Sequence, residues 1–179
     1  MPVHVEQAQV SSLNQAEHPL ASAVLGDARH LDWPDDCADA VLLLGPLYHL
    51  TEPSDRLQAL REAYRVLKPN SAIFAATVSR FASALDGIRQ GFLADPLFAS
   101  LVEEALRSGQ HRNPTGHEHY FTTAFFHHPD ELRAEIQEAG FFDTRVIAIE
   151  GIGWLTSSRD VDQMWKVEHF RNAVLQCSA

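Results

Sequence analysis

Apolar residues along this chain fall into two alternating patterns. Ala23-Val24-Leu25-Gly26-Asp27 and Asp39-Ala40-Val41-Leu42-Leu43-Leu44-Gly45 are unbroken apolar runs that close on glycine. Runs of this kind suit strands covered on both faces of a parallel sheet, where no in-out alternation is needed. Between Ser54 and Lys68, by contrast, Leu57, Leu60, Tyr64 and Leu67 recur at helical spacing. Ser54 is the expected N-cap there, and Lys68-Pro69 the stop. Asn70 suits the left-handed turn that follows, and Ala72 to Val78 reads as a third strand.

The same alternation returns near the end. Pro129 opens a helix whose buried face is Leu132, Ile136 and Ala139, Gly140 stops it, and Phe142 to Ile149 is the expected fourth strand. The stretch from Arg80 to His128 is too long for a structureless connection, so helices are expected inside it. One covers Ala82 to Phe92. Another opens at Asp95-Pro96, carries Leu97, Leu101 and Ala105 on one stripe, and ends at Ser108-Gly109. Asn113-Pro114-Thr115-Gly116 is a turn cluster, followed by a segment dense in histidine and aromatic residues. Pro2 to Val10 and the tail from Ser157, with Met164, Val167, Phe170 and Val174, are further helical patterns.

Length and charge narrow the picture. The 179 residues are 45% hydrophobic and 21% charged, enough for one core and one domain over residues 1–179. A formal charge of -10 has the wrong sign for neutralising phosphates, which argues against nucleic acid or an anionic membrane as partner. Cys37 and Cys177, the two cysteines, form no paired set, so a disulfide scaffold is excluded and a reducing, cytoplasmic location is expected. The longest apolar stretch, Ala40 to Leu47, falls far short of the ~18 residues that span a bilayer.

In an open α/β sheet, ligands sit at the carboxyl ends of the strands. That rule selects Gly26-Asp27-Ala28-Arg29, Gly45-Pro46-Leu47-Tyr48-His49-Leu50 and Ser79-Arg80-Phe81. His49 is the candidate base, because histidine in an ordinary environment titrates near ~6.5; a packed strand-end histidine is the equal alternative. His119 and Tyr120 are candidates for the wall of a lid over the site, and the neighbouring Phe125 and Phe126 for core packing. His117-Glu118-His119 lacks the i, i+4 spacing of a helical metal pair, so no metal is expected. Arg61, Glu62 and Arg65 read as a solvated helix face, and Trp33 and Trp154 as packing residues near the sheet ends.

Three blocks together resemble a known family. They are Gly26 to Arg29 with Leu31 and Pro34, Asp39 to Leu50, and Leu60-Arg61-Glu62-Ala63-Tyr64-Arg65-Val66-Leu67-Lys68-Pro69. In order and spacing they are similar to the Rossmann-like, S-adenosylmethionine-dependent methyltransferases of small molecules. The resemblance implies an α/β fold, an incomplete and mostly parallel Rossmann-like methyltransferase sheet, with residues 80–128 as a helical lid. It implies S-adenosylmethionine as cofactor, with the Asp27 carboxylate accepting from the adenine amino group and the Ala28 backbone against the ring. Leu44, Gly45 and Pro46 would line the methionine end. Tyr48 and His49 would face the methyl group, and Arg80, His119 and Tyr120 the acceptor.

The family's opening strand, glycine-rich turn, helix and second strand have no counterpart in this sequence, nor does its last strand. The family's sheet order, 3-2-1-4-5-7-6, leaves strand 3 without the partners that join it to strand 4. A homodimer with re-paired or exchanged strands is therefore expected, since open strand edges recruit other strands. Two or three missing charge-assisted hydrogen bonds, each worth roughly 1.5 to 3 kcal/mol, would weaken cofactor binding about a thousandfold or more. Three readings stay open: an enzyme weakened in this form, a non-catalytic relative that pairs with itself or another chain, or a longer gene whose first strands lie upstream of Met1.

Overall fold

The computed structural model describes residues 2–15 and 17–149. The helical pattern expected from Ser157 onward, and Trp154, lie outside the described residues. Helix α1 spans Pro2–Leu13, as the opening pattern implied. Strand β1 (Ala38–Leu43) is followed by a one-turn helix α2 (Pro46–His49), the long helix α3 (Pro53–Val66) and strand β2 (Leu67–Ala75). Strands β1 and β2 pair in parallel, with Val41 opposite Ile73 and Leu43 opposite Ala75. Asn70 takes the expected left-handed φ, 66°, but inside β2, between Leu67 and Ala72 where the register with β1 shifts, because the strand starts at Leu67 and not at Ala72.

Helix α3 begins two residues earlier than its pattern implied. Glu52 holds the cap position without a side-chain bond and Pro53 takes the first turn, so Ser54 is not the cap. Proline suits that place because its missing N–H is one that the first turn leaves unpaired anyway.

The insertion contains helix α4 (Ala82–Gln90), a 3-10 turn at Phe92–Ala94 and helix α5 (Pro96–Ser108). Asp95 caps α5 by accepting from Leu97 N, and Gly109 ends it with a φ of 77°. Phe98, Val102 and Ala105 form its buried stripe, one residue on from part of the expected one, and Leu97 is exposed. A second small sheet, β3-β5-β4, joins β3 (Val78–Ser79), β4 (Gln110–His111) and β5 (Ala124–His127). Helix α6 (Pro129–Glu138) then carries Leu132 and Ile136 inward, and Gly140 follows with a φ of 108°.

One core cluster joins sheet and helices: Leu43, Leu47, Leu60, Leu132 and Ile136. Three expectations fail here. Ala23 to Asp27 and Phe142 to Ile149 are not strands; Asp27 has only an isolated bridge to His30, and Val24, Leu25, Phe142, Ile147 and Ile149 are exposed. A strand exists only through a neighbour to bond with, and among the described residues neither segment has one. Nor is the β1–β2 pair covered on both faces: Leu42 is 66% and Phe74 59% exposed, side by side in register.

Among the described residues, no helix is long and apolar enough to cross a membrane.

Candidate functional site

The turn after β1 and the turn at residues 27–30 lie at the same end of the parallel pair. Ala28 packs on the cluster that holds Leu43, the last residue of β1, and Leu47 of α2. Leu47 is the fully buried anchor of α2. It fixes the short helix so that Tyr48 is half-buried and His49 exposed beside it, with ring centroids 4.6 Å apart. The Tyr48 hydroxyl lies 3.6 Å from where a Cβ on Gly45 would stand, so the phenol folds back over that glycine. Leu44 is exposed next to it.

The 27–30 turn is tied down by charge. Asp27 accepts from Arg29 N at 2.9 Å and from the Arg29 guanidinium at 2.7 to 3.2 Å. The hydrogen-bonding Arg29 side chain holds the Asp27 carboxyl down to about 2. The other arm of Arg29 reaches Asp55 Oδ2 at 2.9 Å, and Gln58 donates to the Arg29 carbonyl. The turn is thus pinned to the first turns of α3. A second clamp lies one turn further along. Glu62, buried, accepts from Leu31 N at 2.8 Å, while Arg65 donates to the carbonyls of Leu31 and Trp33 and to Asp35. The expected solvated face is therefore an anchor, and Trp33 is exposed with its carbonyl in use. Local periodicity reports which residues are apolar; it does not report a loop that returns to cover charged ones.

The remaining expected site residues do not join this rim. Arg80 is buried; its guanidinium pairs with Glu131 and donates to the Phe126 carbonyl, bracing β5 against α6. A guanidinium so engaged is a structural brace rather than an acceptor ligand. Tyr120 is buried too, its hydroxyl donating to Asp95 at 2.7 Å and its ring packed on Phe98. It belongs to the insertion's own core. His119 is exposed, its ring 5.6 Å from His117. His111 is fully buried, stacked on Phe126, and its Nε2–H donates to the Tyr120 carbonyl at 2.8 Å; burial pushes its pKa down.

One polar group escaped the sequence reading. Arg56, on α3, is 1% exposed. It donates to both oxygens of Glu135 on α6 and, through Nη1, to the carbonyls of Leu50 and Thr51 at 3.0 Å each. Its guanidinium carbon lies 3.5 Å from the centre of the Phe125 ring. His127 Nε2–H donates to Glu135 at 3.1 Å. Burial alone would raise the Glu135 carboxyl, but the bonds from His127 and Arg56 outweigh it and leave it lowered. These residues are up to 79 positions apart, so no spacing could have announced them.

Residues 2–75 match the family model described as "Methyltransferase domain". All three resembling blocks lie within that span. An S-adenosylmethionine-dependent methyltransferase from Methanosarcina mazei overlays with a TM-score of 0.51 at 20% identity, over 81% of this chain and 69% of its own. One from Thermotoga maritima, described as a "possible histamine N-methyltransferase", gives 0.42 at 21% identity, over 68% of this chain and 47% of its own. The chain thus spans about half of that second protein's length. No curated protein matches. The fold is the incomplete α/β, Rossmann-like sheet expected, shared with the Methanosarcina mazei protein, and residues 2–75 are similar to a methyltransferase domain.

Proposed function

We propose that this chain transfers a methyl group from S-adenosylmethionine to a small molecule in the cytoplasm. The observation that carries the reading is the ion pair of Arg29, in the Asp27 turn, with Asp55 in the first turn of α3, the helix into which the Gly45 turn and α2 lead. The residues suit the cofactor. Asp27 offers acceptor oxygens to an amino group, and a Cβ on Gly26 would meet nothing within 4 Å, so the backbone there is open to a flat ring. Gly45 and Pro46, with Leu44, form an apolar, side-chain-poor wall for the methionine end.

When bound, S-adenosylmethionine supplies a methyl on a positively charged sulfur, so transfer is an in-line displacement in which positioning does most of the work. Tyr48 and His49 orient the acceptor, and His49 takes its proton where the nucleophile carries one. Arg29 must yield Asp27 to the amino group; it keeps Asp55 as its second partner. Calorimetric titration with S-adenosylmethionine tests the reading. Micromolar binding abolished by Asp27→Ala is expected, and no heat at millimolar ligand overturns it.

A second reading, a non-catalytic homodimer, is favoured by the bare apolar face of Leu42 and Phe74 and by β1 having β2 as its neighbour on one edge. Self-pairing is compatible with catalysis; the calorimetry separates the two. Neither nucleic acid nor membrane is a proposed partner.

A further inference from the structure

We propose that Arg56 is a positioning residue for the turn that carries Tyr48 and His49. This rests on reading that turn as the methyl-transfer site. The chain leaves α2 at His49 and must reverse within three residues to enter α3 at Pro53. The backbone there has one local bond, Leu50 N to Pro46 O at 3.1 Å. Two successive carbonyls, Leu50 and Thr51, then point at a single guanidinium nitrogen. Gln110 Nε2 adds a second donor, to Thr51 O at 2.9 Å.

A donor can fix a loop only if it is itself fixed. Arg56 is held on two further sides: Glu135 takes its other arms in a forked pairing, and the Phe125 ring lies flat against its charge. His127 in turn orients Glu135. The chain of contacts runs from β5 through α6 to α3 and ends on the backbone immediately after His49. Lysine could not replace it, because an ammonium has three donors and no planar fork to span a carboxylate and two carbonyls at once.

The test uses the full chain in four forms: wild type, Arg56→Lys, Arg56→Gln, and a double variant Arg56→Met with Glu135→Leu. The double variant removes both buried charges together, at the cost of the His127 bond to Glu135, and is the variant expected to stay folded where Arg56→Gln fails to. Amide hydrogen exchange is followed at Leu50 and, as a control, at Ile73 and Phe74 in β2; S-adenosylmethionine affinity and the His49 ring resonances are followed alongside. Expected is exchange at Leu50 at least tenfold faster in each folded variant, unchanged protection in β2, a shifted His49 signal, weaker S-adenosylmethionine binding, and no rescue by lysine. Unchanged Leu50 exchange and His49 signal in a folded variant overturn the positioning role. Wild type that binds no S-adenosylmethionine overturns the reading of the site, while the exchange data still decide the hold of Arg56 on the turn.

Discussion

Asp27 and Arg29 close on each other across a single intervening residue, the guanidinium Nη2 standing 2.7 Å from Oδ2. The group best suited to receive an adenine amino group is thus already occupied by a neighbour of the same turn. A ligand must displace that arm. Arg29→Ala is therefore expected to let the Asp27 carboxyl rise from about 2 toward the ordinary carboxylate range, and to tighten S-adenosylmethionine binding a few-fold. Carbon-detected NMR titration of the Asp27 side chain and calorimetry check both parts. Weaker binding in the variant would mean that Arg29 orients Asp27 more than it competes for it.

Burial of His111 makes stability depend on pH. Its folded pKa is lowered, so below the ordinary value of 6.5 the unfolded chain takes up a proton that the folded chain refuses. Stability is full above that value and falls as pH drops below it, by up to about 1.4 kcal/mol per pH unit for one proton. Glu135 adds a second loss at lower pH, because its lowered folded value gives stability that fades once the unfolded carboxyl protonates, below its ordinary value of 4.5. Urea midpoints measured from pH 7.5 to about 2.5 are expected to fall in two stages, with His111→Phe flattening the first.

Two glycines with the same φ of 77° should respond differently to alanine. At Gly91 a Cβ meets nothing within 4 Å, so Gly91→Ala carries only the left-handed penalty of about 1 to 2 kcal/mol. At Gly109 it would stand 2.6 Å from the Phe126 carbonyl and 2.8 Å from Arg80 Nη2. Gly109→Ala must push β5 off the end of α5 as well, and thermal unfolding is expected to show the larger loss there. Equal losses would mean that β5 does not press on that turn.

Phe74 lies beside Leu42 on the uncovered face of the β1–β2 pair. If two copies of the chain pair through that face, Phe74→Lys converts a dimer to a monomer in light scattering with little change in the thermal midpoint. A wild-type monomer at all concentrations would remove the homodimer from the account.

Much of this architecture was legible because the signals are local. Pro129 and Gly140 bracket α6, and Asp95 and Gly109 bracket α5; each acts through its own φ or its own side-chain oxygen. Ala23 to Asp27 and Phe142 to Ile149 misled because an apolar run states readiness to pair and contains no information about whether a partner lies alongside. The site was legible to the same degree. Gly45 and His49 do follow the end of β1, whereas the strand-end rule reached Asp27 and Ala28 through a segment that is no strand, and Arg80 and Tyr120 are engaged with Glu131 and Asp95. Nothing in the spacing around Arg56 marks it, and only the folded chain brings Glu135 and Phe125 around it.

Chemical-shift mapping of the labelled full chain during S-adenosylmethionine titration tests the central claim most directly. Saturable shifts are expected in two separated stretches, Gly26 to Arg29 and Leu44 to Leu50, with residues 113–123 following only when an acceptor is added. Shifts confined to the insertion, or none at millimolar ligand, would contradict it.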